Sequence, residues 1–264
     1  MMNTRPIGIF DSGVGGLTVV DKVFRLLPNE NIVYFGDTAR VPYGNKSGET
    51  VTRFSKEIVK FLLGFKVKLI IVACNTASSL SLEALKKAFS IPIVGVIKPG
   101  VEEALKATGT GRIGVIGTER TVSSKAYKKE IESTGRNSFV IQKSCPLFVP
   151  LVENGWFGGD ITLKIVRKDL APILAGNIDT LILGCTHYPL LKKAIQRIAG
   201  KKVTLIDSSI AVAKYTSALL DNENLCNNAG KARARFFVSD DTEGFVKLAR
   251  IFLKKNIKAK RIIF

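Results

Sequence analysis

Short β-branched runs alternate with longer amphipathic stretches along most of this chain, and that alternation constrains its fold more than any other feature. The runs at 7–10, 32–35, 69–73, 93–97, 113–116, 139–142, 181–183 and 203–206 are brief and mostly apolar, as strands covered on both faces are. Between them, 17–27, 51–63, 80–89, 161–174 and 190–198 repeat apolar residues at helical spacing. Strands separated by helices predict an α/β fold with mainly parallel sheets.

The runs also recur in order. Ile7-Gly8-Ile9-Phe10-Asp11-Ser12 matches Ile113-Gly114-Val115-Ile116-Gly117-Thr118 at an offset of 106 residues, which also carries Val33 onto Phe139. Ile70-Ile71-Val72-Ala73-Cys74-Asn75-Thr76 matches Leu181-Ile182-Leu183-Gly184-Cys185-Thr186 at 111, and Val94 answers Thr204 at 110. Four strands in one order predict an internal duplication: two similar doubly wound lobes related by a pseudo-twofold axis. No Ser-, Gly- or Pro-rich linker divides them. Lys98-Pro99-Gly100 is the best forward crossing and Asp207-Ser208-Ser209 the best return, giving one lobe of residues 1–97 plus 208–264 and a second of 98–207. Two lobes make a cleft, where small-molecule sites usually lie.

Composition removes other classes. The longest apolar run, from Leu69 to Cys74, is far short of the roughly 20 residues that span a bilayer. The first ten residues lack the apolar core of a signal peptide, so a cytoplasmic location is expected. Four widely spaced cysteines and one histidine form neither a C-x-x-C pair nor a Cys2His2 set, so no disulfide scaffold and no structural metal is expected. The formal charge is +18. Residues 192–264 hold 16 basic against 6 acidic side chains, and Lys254, Lys255, Lys258, Lys260 and Arg261 read as a solvated helix face. No nucleic-acid-binding signature accompanies them, so nonspecific, salt-sensitive binding is the most this charge predicts.

Cys74 and Cys185 each follow a strand and precede a helical pattern, at the carboxyl ends where open α/β sheets bind ligands. A helix N-terminus there favours the thiolate. One such cysteine is more often plain core; two at equivalent positions favour function. One thiol from each wall of a cleft can remove a Cα proton from one face and return one to the other, inverting a stereocentre. Asp11 and Ser12 lead into Gly13-Val14-Gly15-Gly16, a turn able to hold a carboxylate or simply to join strand to helix. Asn75, Thr76 and Thr186 can donate to substrate oxygens, or merely cap helices. His187 is either structural or a proton partner for Cys185.

The motifs I-F-D-S-G-V-G-G-L-T (9–18), Y-F-G-D-T-A-R-V-P-Y-G (34–44), V-A-C-N-T-A-S (72–78), P-L-V-E-N-G (150–155) and L-G-C-T-H-Y-P-L-L (183–191) resemble the cofactor-independent aspartate/glutamate racemase superfamily, and within it the glutamate racemases. The resemblance implies no cofactor and two acid/base thiols, Cys74 and Cys185, assisted by Asp11 and His187 respectively. It implies substrate contacts from Asp11, Ser12, Tyr43, Gly44, Asn75, Thr76, Thr186 and His187. Thr118 and Thr121 are added as equivalents of the first strand's end, and Glu153 and Asp37 as acids near the site. His187, where aspartate-type relatives commonly carry an acid, favours glutamate. The implied activity interconverts L-glutamate and D-glutamate, supplying the D-isomer for peptidoglycan, in a chain expected to form a homodimer; the alternatives are a racemase of another acidic amino acid such as aspartate, or a basic nucleic-acid- or protein-binding module on an inactive racemase fold. Cys145 and Cys226 match no motif and receive no role.

Overall fold

The computed structural model describes residues 3–228 and 232–263. Its strands are β1 (Ile7–Asp11), β2 (Ile32–Gly36), β3 (Leu69–Val72), β4 (Ile93–Gly95), β5 (Arg112–Gly117), β6 (Phe139–Ser144), β7 (Thr180–Gly184), β8 (Thr204–Asp207), β9 (Ala234–Val238) and β10 (Ala259–Arg261). They form a six-stranded sheet in the order β10-β9-β2-β1-β3-β4 and a four-stranded sheet in the order β6-β5-β7-β8. Every pairing is parallel, and β1, β2, β3 and β7 are buried throughout, which explains their continuous apolar sequences.

The duplication is visible in the connectivity: β2-β1-β3-β4 recurs as β6-β5-β7-β8. Gly8 stands opposite Ile70 as Gly114 stands opposite Leu181, so the 111-residue offset between β3 and β7 holds. The other two offsets slip by two residues. Ile7 faces Ile32 whereas Ile113 faces Val140, an offset of 108 rather than 106. Ile71 faces Val94 whereas Ile182 faces Ile206, an offset of 112 rather than 110. A two-residue slip leaves every side chain on its own face, so apolar alternation could not detect it.

The crossings between sheets are helical. Lys98, Pro99 and Gly100 lie in the first turn of helix Ile97–Ala107, where proline's missing N–H costs no bond. Asp207 caps helix Ser208–Asn222, its Oδ1 accepting the Ser209 N–H at 2.9 Å. That return helix packs against helices Leu17–Leu26 and Ile97–Ala107. The basic C-terminal run is not a helix face. Lys254 ends helix Thr242–Leu253 in the left-handed region at φ 54°, and Lys260 and Arg261 lie on the edge strand β10.

One apolar cluster joins Ile9, Tyr34 and Ile71 of the first sheet to Ile116, Leu181 and Leu183 of the second. The opposite faces pack separately, around Phe10, Val33, Phe35, Ile70 and Val72 in one case and Ile113, Val115, Ile131 and Ile182 in the other. The two sheets thus share a core.

Candidate active site

Cys74 caps helix Asn75–Ala88, with the Ala77 N–H 3.5 Å from its sulfur and Ser12 Oγ 3.7 Å away. Burial pushes the thiol up to about 12, and the negative charge of Asp11 adds to the rise; the Ala77 N–H and Ser12 oppose it. Desolvation therefore outweighs the helix terminus, and Cys74 rests as the thiol rather than the thiolate that its position suggested. Asp11 is itself fully buried, with Oδ2 accepting the Gly13 N–H at 3.0 Å and Oδ1 accepting the Thr186 hydroxyl at 3.4 Å. Burial raises its pKa against the opposing pull of His187.

Cys185 follows β7 directly, and its sulfur is 3.8 Å from His187 Nδ1. On the other side of the ring, His187 Nε2 is 3.1 Å from Glu153 Oε1, carried by helix Phe148–Glu153. Burial opposes charge on this imidazole, but Cys185 and Glu153 together overcome it and push the pKa up to about 10. Cys185, His187 and Glu153 thereby form a path for a proton from a buried sulfur to a carboxylate whose side chain is 43% exposed.

Both thiols open into one cavity of about 320 Å³ at the carboxyl ends of both sheets. Ser12, Tyr43, Gly44, Asn75, Thr76, Thr118, Glu153, Thr186 and His187 also line it. Asp11 and Thr121 are buried behind its wall and do not line it. Thr121 bonds Thr118 at 3.0 Å and Thr76 at 3.3 Å, while Asp11 accepts from Thr186 and raises the Cys74 pKa. Tyr43 gives its hydroxyl to Asp37, a buried carboxylate that also accepts from Arg40 at 2.7 Å and Ser239 at 2.8 Å. Asp37 therefore orients the wall without lining it. Asn75 Oδ1 is buried and has no hydrogen-bond partner among the described residues.

The turns that follow the two thiols are held from the opposite sheet. Thr18 Oγ1 donates to the Thr186 carbonyl at 3.0 Å, and Thr76 and Thr118 share a hydrogen bond at 2.9 Å. Cys145, Pro146, Val149 and Glu119 also line the wall; spacing gave no sign of Cys145, which arrives from the end of β6. No lining residue is Lys or Arg among those described, so the +18 charge does not concentrate here. The described residues also contain no group of three His, Cys, Asp or Glu able to hold a metal.

A family model described as Asp/Glu/Hydantoin racemase matches residues 7–216. The chain belongs to that racemase family. It is 51% identical over 256 residues to a glutamate racemase of Persephonella marina, covering 97% of this chain and 96% of the relative. A crystal structure of a glutamate racemase isoform from Bacillus anthracis superposes with a TM-score of 0.96 at 40% identity over 98% of each chain. That of a glutamate racemase from Francisella tularensis, in complex with D-glutamate, gives 0.93 at 38% identity over 99% of this chain and 98% of that one. Its racemase fold and these relatives make the protein an isomerase with the two-lobed α/β architecture. Among the described residues no helix is long and apolar enough to cross a membrane.

Proposed function

We propose that this protein is a glutamate racemase that interconverts L- and D-glutamate by proton transfer between two cysteines, without a cofactor. The observation that carries this reading is the delivery of one thiol from each of two duplicated sheets into a single small cavity. With the substrate Cα between the sulfurs, one thiolate takes the Cα proton while the opposing thiol gives its own to the other face. Cys74, held as a thiol by burial and Asp11, is the resting acid. Cys185 exchanges its proton with His187, and the half-exposed Glu153 passes it towards solvent. Each turnover swaps the protonation of the sulfurs: the path through His187 and Glu153 carries the proton gained by Cys185 to solvent, and Cys74 takes a proton back from water that enters the cavity as product leaves.

A carbanion beside a carboxylate needs preorganised donors, since a Cα proton is weakly acidic. Ser12, Thr76 and Thr118 supply hydroxyls in the cavity, and Asn75 Oδ1, without a hydrogen-bond partner among the described residues, suits the substrate ammonium. The proposed lobes are 1–97 plus 208–264 and 98–207, with the reaction between them. Family resemblance supports a cytoplasmic homodimer that supplies D-glutamate for peptidoglycan.

Incubating the purified protein with L-glutamate and, separately, D-glutamate in D2O without added cofactor tests the reading. Loss of optical rotation from either enantiomer, with one solvent deuterium at Cα of each inverted product, is expected. Inversion of aspartate but not glutamate would overturn the substrate, and inversion without deuterium would overturn the mechanism.

A further inference from the structure

A single buried side chain outside every active-site motif touches the turns of both thiols. Tyr127, on helix Ala126–Ser133, has no exposed surface. Its hydroxyl oxygen accepts from Asn75 Nδ2 at 2.7 Å, one residue after Cys74. The same hydroxyl is 3.3 Å from Ser208 Oγ, which donates to the Leu183 carbonyl at 2.8 Å, two residues before Cys185. Its ring also backs Gly184, where an added Cβ would come within 3.1 Å of Tyr127 Cε2.

The direction of this chain is forced. A carbonyl only accepts, so the one Ser208 proton is committed to Leu183. The Tyr127 proton must then go to Ser208 Oγ, and the Tyr127 oxygen is left to accept. Asn75 must present its amide nitrogen to Tyr127, which leaves Oδ1 as a buried acceptor without a partner among the described residues. Hydrogen bonds aligned in one sense also strengthen one another.

We propose that Tyr127 is a positioning residue for racemisation. Through the Leu183–Ser208–Tyr127–Asn75 chain it fixes which end of the Asn75 amide meets the substrate, reserving Oδ1 for the substrate ammonium and tying the turn of one thiol to the strand end of the other. This rests on the racemase reading above. Tyr127 acts through Asn75 and does not touch substrate, so its effect vanishes when Asn75 is removed.

A double-mutant cycle tests it, with racemisation of D-glutamate measured in the wild type, Tyr127→Phe, Asn75→Ala and the double variant. Losing one buried hydrogen bond predicts a fall in kcat/KM of about tenfold for Tyr127→Phe in the wild-type background, carried mainly by KM, and no further fall in the Asn75→Ala background. Inhibition by glutarate, which lacks the ammonium, is expected to be unchanged in Tyr127→Phe. Equal falls in both backgrounds, no fall in either, or equal weakening of glutarate would overturn the proposal. If Tyr127→Phe does not fold, Ser208→Ala takes its place in the cycle with the same expected pattern and the same overturning result. A wild type that does not racemise glutamate refutes the earlier reading instead, so the two failures are distinct.

Discussion

Asp11 and Glu153 act on the two thiols from opposite positions. Asp11 is sealed behind the wall and holds the Cys74 proton on, so Asp11→Asn removes a negative charge and lowers that thiol. Alkylation of Cys74 by iodoacetamide at pH 8 is expected to quicken several-fold in that variant, measured by mass spectrometry of the labelled peptide. Glu153 instead supports a charge on His187. The folded-state pKa of about 10 lies above the ordinary 6.5, so the stability contributed by that charge is complete below pH 6.5 and lost as the pH rises through 10. Melting curves of the wild type and Glu153→Gln are therefore expected to differ most near pH 6 and to converge above pH 10. Serine at either Cys74 or Cys185 should cut racemisation by roughly 10²–10⁴-fold, the worth of a positioned proton-transfer group, while one-sided elimination from an analogue with a good leaving group survives. These thiols were legible in the sequence because they repeat at the spacing of their strands. Cys145 and Tyr127 were not, since they reach the site from residues with no counterpart in a motif, and a lone tyrosine among lysines reads as a solvated surface.

Elements meet closely where the two sheets approach. An added Cβ at Gly15 would stand 2.3 Å from Thr186 Oγ1 and 2.5 Å from His187 Nδ1, so the first strand–helix turn fits against the second thiol's turn only as glycine. Gly15→Ala is expected to lower kcat/KM at least tenfold by displacing His187, with a stability loss of about 1–3 kcal/mol in urea unfolding, the usual cost of overpacking. The turn was legible as a strand–helix joint, but its partner was not, because 171 residues separate Gly15 from Thr186. Strand order was recoverable for the opposite reason: a parallel strand buried on both faces writes itself as a continuous apolar run. The C-terminal strands break that rule. In β9 Ala234 and Arg235 precede Phe236, Phe237 and Val238, and β10 is Ala259-Lys260-Arg261, so charge concealed them. Charge on an outermost strand discourages pairing with another chain, and Lys260→Val with Arg261→Val should raise concentration-dependent light scattering.

At the scale of the molecule, the shared core between the sheets limits how independently the two halves can melt. A single cooperative transition in urea is expected, with far-UV circular dichroism and the emission of the lone Trp156 changing together; separated curves would mean that the halves unfold separately. The surplus positive charge acts only at a distance, because no lysine or arginine lines the cavity among the described residues. Added salt should therefore lower kcat/KM by a small factor through weaker steering and leave kcat unchanged. That same absence bears on inhibitor chemistry. Walls in which the His187 cation is already paired with Glu153 answer anions mainly with hydroxyls and give little advantage to a highly charged compound, so an uncharged ligand whose acceptors match Thr76 and Thr118 can compete while crossing cell membranes more readily.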